Sequence, residues 1–188
     1  MFPVGGVGVM LLGTAVSGLL AGLLALALRR RFGLVFAVAF AGLLWSVAVI
    51  GCVTLIPANG APGIVSATGR LPGCSWDIGG PAPTGFWIFS GGQRLLNTAV
   101  FVPSGALLVL AAARWRSAWT LVPIGLLLLA AYSAGIEKTQ LELARIDRAC
   151  DVTDFIDNVT GAVLGVGLGI VLALVFRPWR DRAASRLG

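Results

Sequence analysis

VTGAVLGVGLGIVLALVF, residues 159–176, is a stretch of eighteen residues that contains no charged side chain. A membrane-spanning helix needs about 20 predominantly apolar residues in a row, so this stretch is just long enough to cross a bilayer. An isolated strand in lipid would leave its backbone groups unpaired, whereas a helix pairs them internally. We therefore predict a transmembrane helix over these residues.

Similar apolar blocks recur along the rest of the chain, at residues 4–28, 32–56, 95–113 and 119–136. Hydrophobic residues make up 57% of the 188 and charged residues only 12%, against about 25% charged in a soluble domain. The predicted fold class is an all-α, polytopic integral membrane bundle of about five transmembrane helices. The first block is expected to be a retained helix and not a cleaved signal peptide, because its basic residues follow the apolar stretch.

The blocks and the segments between them divide the chain into four regions. Two transmembrane helices are predicted within residues 1–56, and a Gly- and Pro-rich extracytoplasmic loop follows over residues 57–93. Residues 94–176 contain three more helices, and residues 177–188 form a basic cytoplasmic tail.

The basic residues indicate how the helices are oriented. If the Arg29–Arg31 loop is inside, the inner side holds nine of the fourteen Lys and Arg residues, and the outer side holds seven of the eight acids. An excess of Lys and Arg is typical of cytoplasmic loops, so the N-terminus is predicted outside and the C-terminus inside.

Charge and composition also exclude some functions. The net charge of +6 does not indicate nucleic-acid binding, because most arginines flank apolar blocks and do not form a basic stripe. The chain contains no histidine, which excludes His-based catalytic triads and removes the commonest zinc and copper ligand.

Two of the three cysteines fall in the predicted outer loops. Cys74 and Cys150 could form a disulfide there, since extracytoplasmic compartments are oxidising. The alternative is that both are free thiols. Cys52, near the outer end of the second helix, is expected to be a small packing residue.

Polar side chains cluster near the outer ends of the third and fourth helices. Helical spacing places Arg94, Asn97 and Phe101 on one face of the third helix. Glu137 and Gln140 share a face of the fourth, at the lipid boundary, where a carboxylate is costly unless it faces water or a cation. The alternatives are that Asn97 makes a simple interhelical hydrogen bond and that Glu137 only marks the end of its span.

The fifth helix begins with a second polar group. Asp151, Asp154 and Asn158 follow helical spacing and could direct oxygen atoms to one side, although the two aspartates could equally cap the helix. A ridge of small residues follows, which predicts close packing against another helix; its members are Gly161, Gly165 and Gly169.

Two motifs resemble the signatures of the VanZ-like membrane protein family. The first is R-x-x-N at residues 94–97 with F-x-P-x-G at 101–105. The second is I-E-x-x-Q at 136–140 followed by R-x-x-D-x-x-D-x-x-x-N-x-x-G-x-x-x-G at 148–165. The resemblance covers about residues 86–176. Cys150 and Thr153 depart from the family pattern, which more often has an apolar residue and an acid there, and a missing acid would reduce the charge available to a cation.

The resemblance implies a location and a phenotype. The family is named for a member associated with low-level resistance to the glycopeptide teicoplanin, whose target is the cell-wall precursor at the outer face. It implies a multi-pass protein of the bacterial cytoplasmic (inner) membrane whose partners are membrane lipid and a lipid-linked cell-wall precursor or glycopeptide antibiotic. The motif contributes Arg148 to the candidate polar site, which comprises Arg94, Asn97, Glu137, Gln140, Arg148, Asp151, Asp154 and Asn158.

Three functions are compatible with these residues. The first is binding of a lipid-linked or lipid-tailed ligand at the outer leaflet, without catalysis or a cofactor. The second is a metal-assisted enzyme acting on a polyprenyl-linked phosphate, in which Glu137, Asp151 and Asp154 would hold Mg²⁺ or Ca²⁺. The third is a structural or assembly protein whose polar residues only join helices.

Overall fold

The fold is a bundle of five long α-helices, seen in a computed structural model that describes residues 5–56, 73–76, 78, 92–143 and 150–179. The helices are α1 (Val7–Phe32), α2 (Leu34–Leu55), α3 (Gly92–Ala112), α4 (Ala118–Leu143) and α5 (Val152–Phe176). All five are long and apolar enough to cross a membrane. The predicted all-α bundle with five spans is confirmed.

α4 and α5 extend well beyond the apolar blocks from which they were predicted. α4 has 26 residues and continues to Leu143, whereas its apolar block ends at Ile136. α5 begins at Val152, seven residues before the uncharged stretch. The reason is that the added turns carry polar side chains which face neighbouring helices, so hydropathy falls while the helix continues.

α1 packs against α2 and contributes no buried residue to the bundle. Gly33 joins the two helices with a positive φ of 81°, a backbone conformation that glycine adopts without a steric cost. The indole Nε1 of Trp45 on α2 donates a hydrogen bond to the carbonyl oxygen of Thr14 on α1. Cys52 is half-buried and lies against Gly13, which is the packing role expected for it.

α3 and α5 form the most extensive helix pair. A Cβ atom added at Gly161 would overlap the carbonyl oxygen of Thr98, and one added at Gly165 would overlap that of Val102. At Gly169 the added atom would lie 2.7 Å from the carbonyl oxygen of Ala106. The predicted glycine ridge therefore lies directly against the backbone of α3.

The two ends of the bundle differ in chemistry. We call one the disulfide end, because the disulfide between Cys74 and Cys150 lies there; α2 and α4 end at it, and α3 and α5 begin at it. The other, the arginine end, carries Arg29–Arg31, Arg114 and Arg177. At this end the Arg114 guanidinium donates a 2.6 Å hydrogen bond to the carbonyl oxygen of Phe32, the last residue of α1. The outward orientation of the disulfide end stays a prediction from the distribution of basic residues.

Candidate functional site

A buried ion pair joins α3 to α5 at the disulfide end. The Nε of Arg94 donates to Asp157 Oδ2 at 2.9 Å, and Nη2 donates to Oδ1 at 3.0 Å. The Arg94 side chain is 9% exposed and that of Asp157 is 0% exposed. Such a bidentate pair fixes the guanidinium plane and cancels its charge locally.

Three polar atoms on α3 near the ion pair lack a hydrogen-bond partner within the described part of the chain. Arg94 Nη1, Asn97 Nδ2 and Thr98 Oγ1 are buried and have no hydrogen-bond partner among the described residues. Phe101, one turn further along α3, is fully buried. The predicted shared face of Arg94, Asn97 and Phe101 therefore points into the bundle.

On the buried face of α4, Ser133 and Gln140 each form a hydrogen bond with another helix. Asn158 on α5 donates through Nδ2 to Ser133 Oγ at 3.0 Å. Gln140 donates through Nε2 to the carbonyl oxygen of Thr54, near the end of α2, at 3.1 Å. The Gln140 Oε1 atom is buried without a hydrogen-bond partner among the described residues, so the amide retains an unused acceptor.

Glu137 connects α4 to the start of α5. It is only 7% exposed, and its Oε2 accepts a hydrogen bond from the backbone N–H of Asp151 at 3.2 Å. α4 continues for six more residues, to Leu143. Glu137 therefore lies within α4, and its buried side chain faces the bundle.

A disulfide between Cys74 and Cys150 secures the segment that leads into α5, with the two Cα atoms 4.6 Å apart. Around it, Ser75 N–H donates to the carbonyl oxygen of Cys150 and Val152 N–H donates to that of Ser75. Asp151 is the N-cap of α5, and its Oδ1 accepts from the Thr153 N–H at 2.8 Å. A Cys74–Cys150 disulfide and a capping role for Asp151 were alternatives considered from the sequence, and both are present in the structure.

The remaining acidic candidates do not form a metal site in the part of the chain that is described. Asp154 is half-buried in the first turn of α5. Within the described ranges, no three His, Cys, Asp or Glu side chains lie together as a possible metal site, and this includes Glu137, Asp151 and Asp154. Arg148 lies outside the described residues.

Sequence reasoning missed Asp157, the partner of Arg94. Its signal is present in the sequence, because Asp157 lies four residues before Gly161 and so begins the ridge that continues through Gly165 and Gly169. A residue on that ridge must face α3. The contact with Thr54 was also missed. No sequence pattern could have predicted it, because Thr54 contributes its backbone carbonyl and not its side chain.

The buried polar residues at the disulfide end are called the polar cluster, and they are Arg94, Asn97, Thr98, Glu137, Gln140, Asp157 and Asn158. Five spans and this cluster define a multi-pass helical membrane protein with a candidate site inside the bundle. The chain belongs to the VanZ/LLP1 family, whose family model matches residues 53–176. The match begins at the end of α2 and includes every residue of the polar cluster. Searches of the curated proteins and of the solved structures found no match.

Proposed function

We propose that this protein is a cell-envelope membrane protein that binds the polar part of a lipid-linked or lipid-tailed ligand at the disulfide end. One observation carries the proposal. Arg94 Nη1, Asn97 Nδ2 and Gln140 Oε1 are buried without hydrogen-bond partners in the described part of the bundle. A polar group left unpaired in hydrocarbon costs several kcal/mol, so a ligand that pairs these groups gains that free energy on binding.

The surroundings of these groups suit a ligand with an apolar tail. Asn97 lies one position after Leu96, which is 68% exposed on the outer surface of the bundle. A tail in the bilayer can therefore run beside α3 while the headgroup reaches the end of the bundle. Membership of the VanZ/LLP1 family supports a lipid-tailed glycopeptide of the teicoplanin type, or the lipid-linked cell-wall precursor, as the ligand.

A structural role is the second candidate, and the hydrogen bonds favour it. Arg94 with Asp157, Asn158 with Ser133, and Gln140 with the Thr54 carbonyl each join two helices. These contacts stabilise the bundle without any ligand. The third candidate, a metal-assisted enzyme acting on a polyprenyl-linked phosphate, would need Mg²⁺ or Ca²⁺ ligands beyond the described residues or a rearrangement of Glu137 and Asp154.

Glu137→Gln separates the three candidates. Glutamine keeps an oxygen that can accept the Asp151 N–H bond but removes the negative charge. The variant should be nearly silent for a structural role, should reduce function moderately for a binding role, and should abolish it for a carboxylate catalyst or metal ligand.

The assay compares teicoplanin susceptibility in a bacterial host that expresses wild type, Glu137→Gln or Asn97→Leu at matched membrane levels. Ser117→Ala, an exposed position at the arginine end, is the control. Protection by wild type and the control, with partial loss in both other variants, supports binding. Equal protection by all four proteins contradicts a working site, and no protection by wild type contradicts the link to glycopeptides.

A further inference from the structure

The disulfide end has a surplus of acidic residues, although the whole chain is basic. Among the described residues, this end carries five acids and two bases, which are Glu137, Glu142, Asp151, Asp154 and Asp157 against Arg94 and Lys138. Anions are repelled by a surface of this net charge. The other described basic residues lie at the arginine end, and they are Arg29–Arg31, Arg114, Arg116 and Arg177.

The one buried cation of the described cluster is already neutralised. Two nitrogens of the Arg94 guanidinium donate hydrogen bonds to Asp157, at 2.9 and 3.0 Å. Arg94 also lies within electrostatic range of Asp154 and Asp151. A phosphate placed near Arg94 would therefore meet a guanidinium that has a carboxylate at contact distance. It would gain a hydrogen bond there but no net charge attraction.

The unused groups are of mixed type. Arg94 Nη1 and Asn97 Nδ2 are donors, Gln140 Oε1 is an acceptor, and the Thr98 hydroxyl can act as either. A phosphate oxygen can only accept hydrogen bonds from these groups. A hydroxyl or a secondary amide offers a donor and an acceptor together, so sugars and peptides match the set better.

We propose that the ligand headgroup contacted by this cluster is uncharged and rich in hydroxyl or amide groups, as in a glycosyl or peptidyl lipid, and that any phosphate of the ligand lies outside it. The inference rests on the proposed binding function and narrows its substrate class. The cluster selects by hydrogen bonding, and binding is accordingly insensitive to ionic strength.

The test measures lipid binding to the purified full-length protein by native mass spectrometry. Three lipids with identical acyl chains are titrated: a diglucosyl diacylglycerol, a phosphatidylglycerol and a phosphatidylcholine. We expect the diglucosyl lipid to bind at least about tenfold more tightly than either phospholipid, because several hydrogen bonds of about 1 kcal/mol each distinguish them. Its affinity should change less than about twofold when the salt concentration rises tenfold.

Two variants locate the binding. Asn97→Asp keeps the size of the side chain but replaces the donor amide with an acceptor, and it should lower the affinity for the diglucosyl lipid about tenfold. Ser46→Ala, in the middle of α2 and away from the disulfide end, should leave the affinity unchanged. Size-exclusion profiles of both variants establish that they are folded.

The outcomes separate this inference from the proposed function. Tighter binding of phosphatidylglycerol, weakened by salt, would overturn the neutral-headgroup inference while leaving a lipid-binding site. The diglucosyl lipid and phosphatidylglycerol could also both bind no more tightly than phosphatidylcholine. In that case water, and not a ligand, would pair the buried groups, and both proposals would fall. Preferential binding of the diglucosyl lipid that Asn97→Asp did not change would place the site elsewhere and overturn the inference.

Discussion

Replacing Arg94 and Asp157 singly and together tests the ion pair at the centre of the cluster. Removing one partner of a buried pair leaves an uncompensated charge and costs about 3–5 kcal/mol. Arg94→Met and Asp157→Leu should each lower the free energy of unfolding by this amount. The double variant, which buries neither charge, should unfold within about 1 kcal/mol of wild type, because apolar replacement of a whole buried pair is often neutral.

The two single variants should not be equal. After Asp157→Leu, Arg94 still lies within electrostatic range of Asp154 and Asp151, which partly compensate its charge. After Arg94→Met, the fully buried Asp157 is left among those same acids. Arg94→Met should therefore be the more destabilising change.

The assay is reversible unfolding in mixed detergent and dodecyl sulfate micelles, followed by circular dichroism. The coupling energy between the two positions should be at least about 2 kcal/mol. The hydroxyl pair of Ser46 and Ser104, 2.9 Å apart, is the matched control between α2 and α3, and its coupling should be near 0.6 kcal/mol. Additivity of the two single losses to within about 0.5 kcal/mol would refute the ion pair.

Three further predictions concern packing, covalent structure and orientation. Gly165→Ala should lower the free energy of unfolding by about 1–3 kcal/mol, because its methyl group overlaps the α3 backbone; Gly167→Ala, which has nothing within 4 Å, should be neutral or stabilising, and equal effects in the same unfolding assay would contradict the ridge. Reducing the disulfide should lower the free energy of unfolding by about 2–4 kcal/mol, and the melting temperature with it. A variant with Cys74 and Cys150 both changed to serine should not respond to reductant. A membrane-impermeant thiol reagent applied to intact cells should label Glu142→Cys at the disulfide end and not Ser117→Cys at the arginine end, and the reverse pattern would invert the topology.

The five spans were predictable because lipid imposes one strong rule. A segment such as residues 159–176 must form a helix to pair its own backbone, and no detailed packing knowledge is needed. The ends of the helices were less accessible. Hydropathy declines after Ile136, yet α4 continues to Leu143 because Glu137 and Gln140 face other helices and not lipid.

The buried faces that carry several polar residues were predictable, but the contacts between those residues were not. Helical spacing identified the buried faces that carry Arg94 and Gln140, since it follows from 3.6 residues per turn. Spacing within one helix does not state which residues meet across two helices. Asp157 illustrates this, because its contact with Arg94 depends on how closely the glycine ridge lets α5 approach α3. The Thr54 carbonyl that binds Gln140 has no side-chain signal in the sequence at all.

The glycine ridge also has a mechanical consequence. Where α3 and α5 meet, backbone lies against backbone, so neither helix can slide past the other without carbonyl oxygens colliding with Cα atoms. We therefore expect α3 and α5 to move together as one rigid unit, with the Arg94–Asp157 ion pair joining them. α4 is attached to the bundle near the disulfide end by hydrogen bonds of Ser133, Glu137 and Gln140, and such bonds can exchange with water or a ligand. We therefore expect that, if these polar side chains open to a ligand, α4 moves away while α3 and α5 stay packed together.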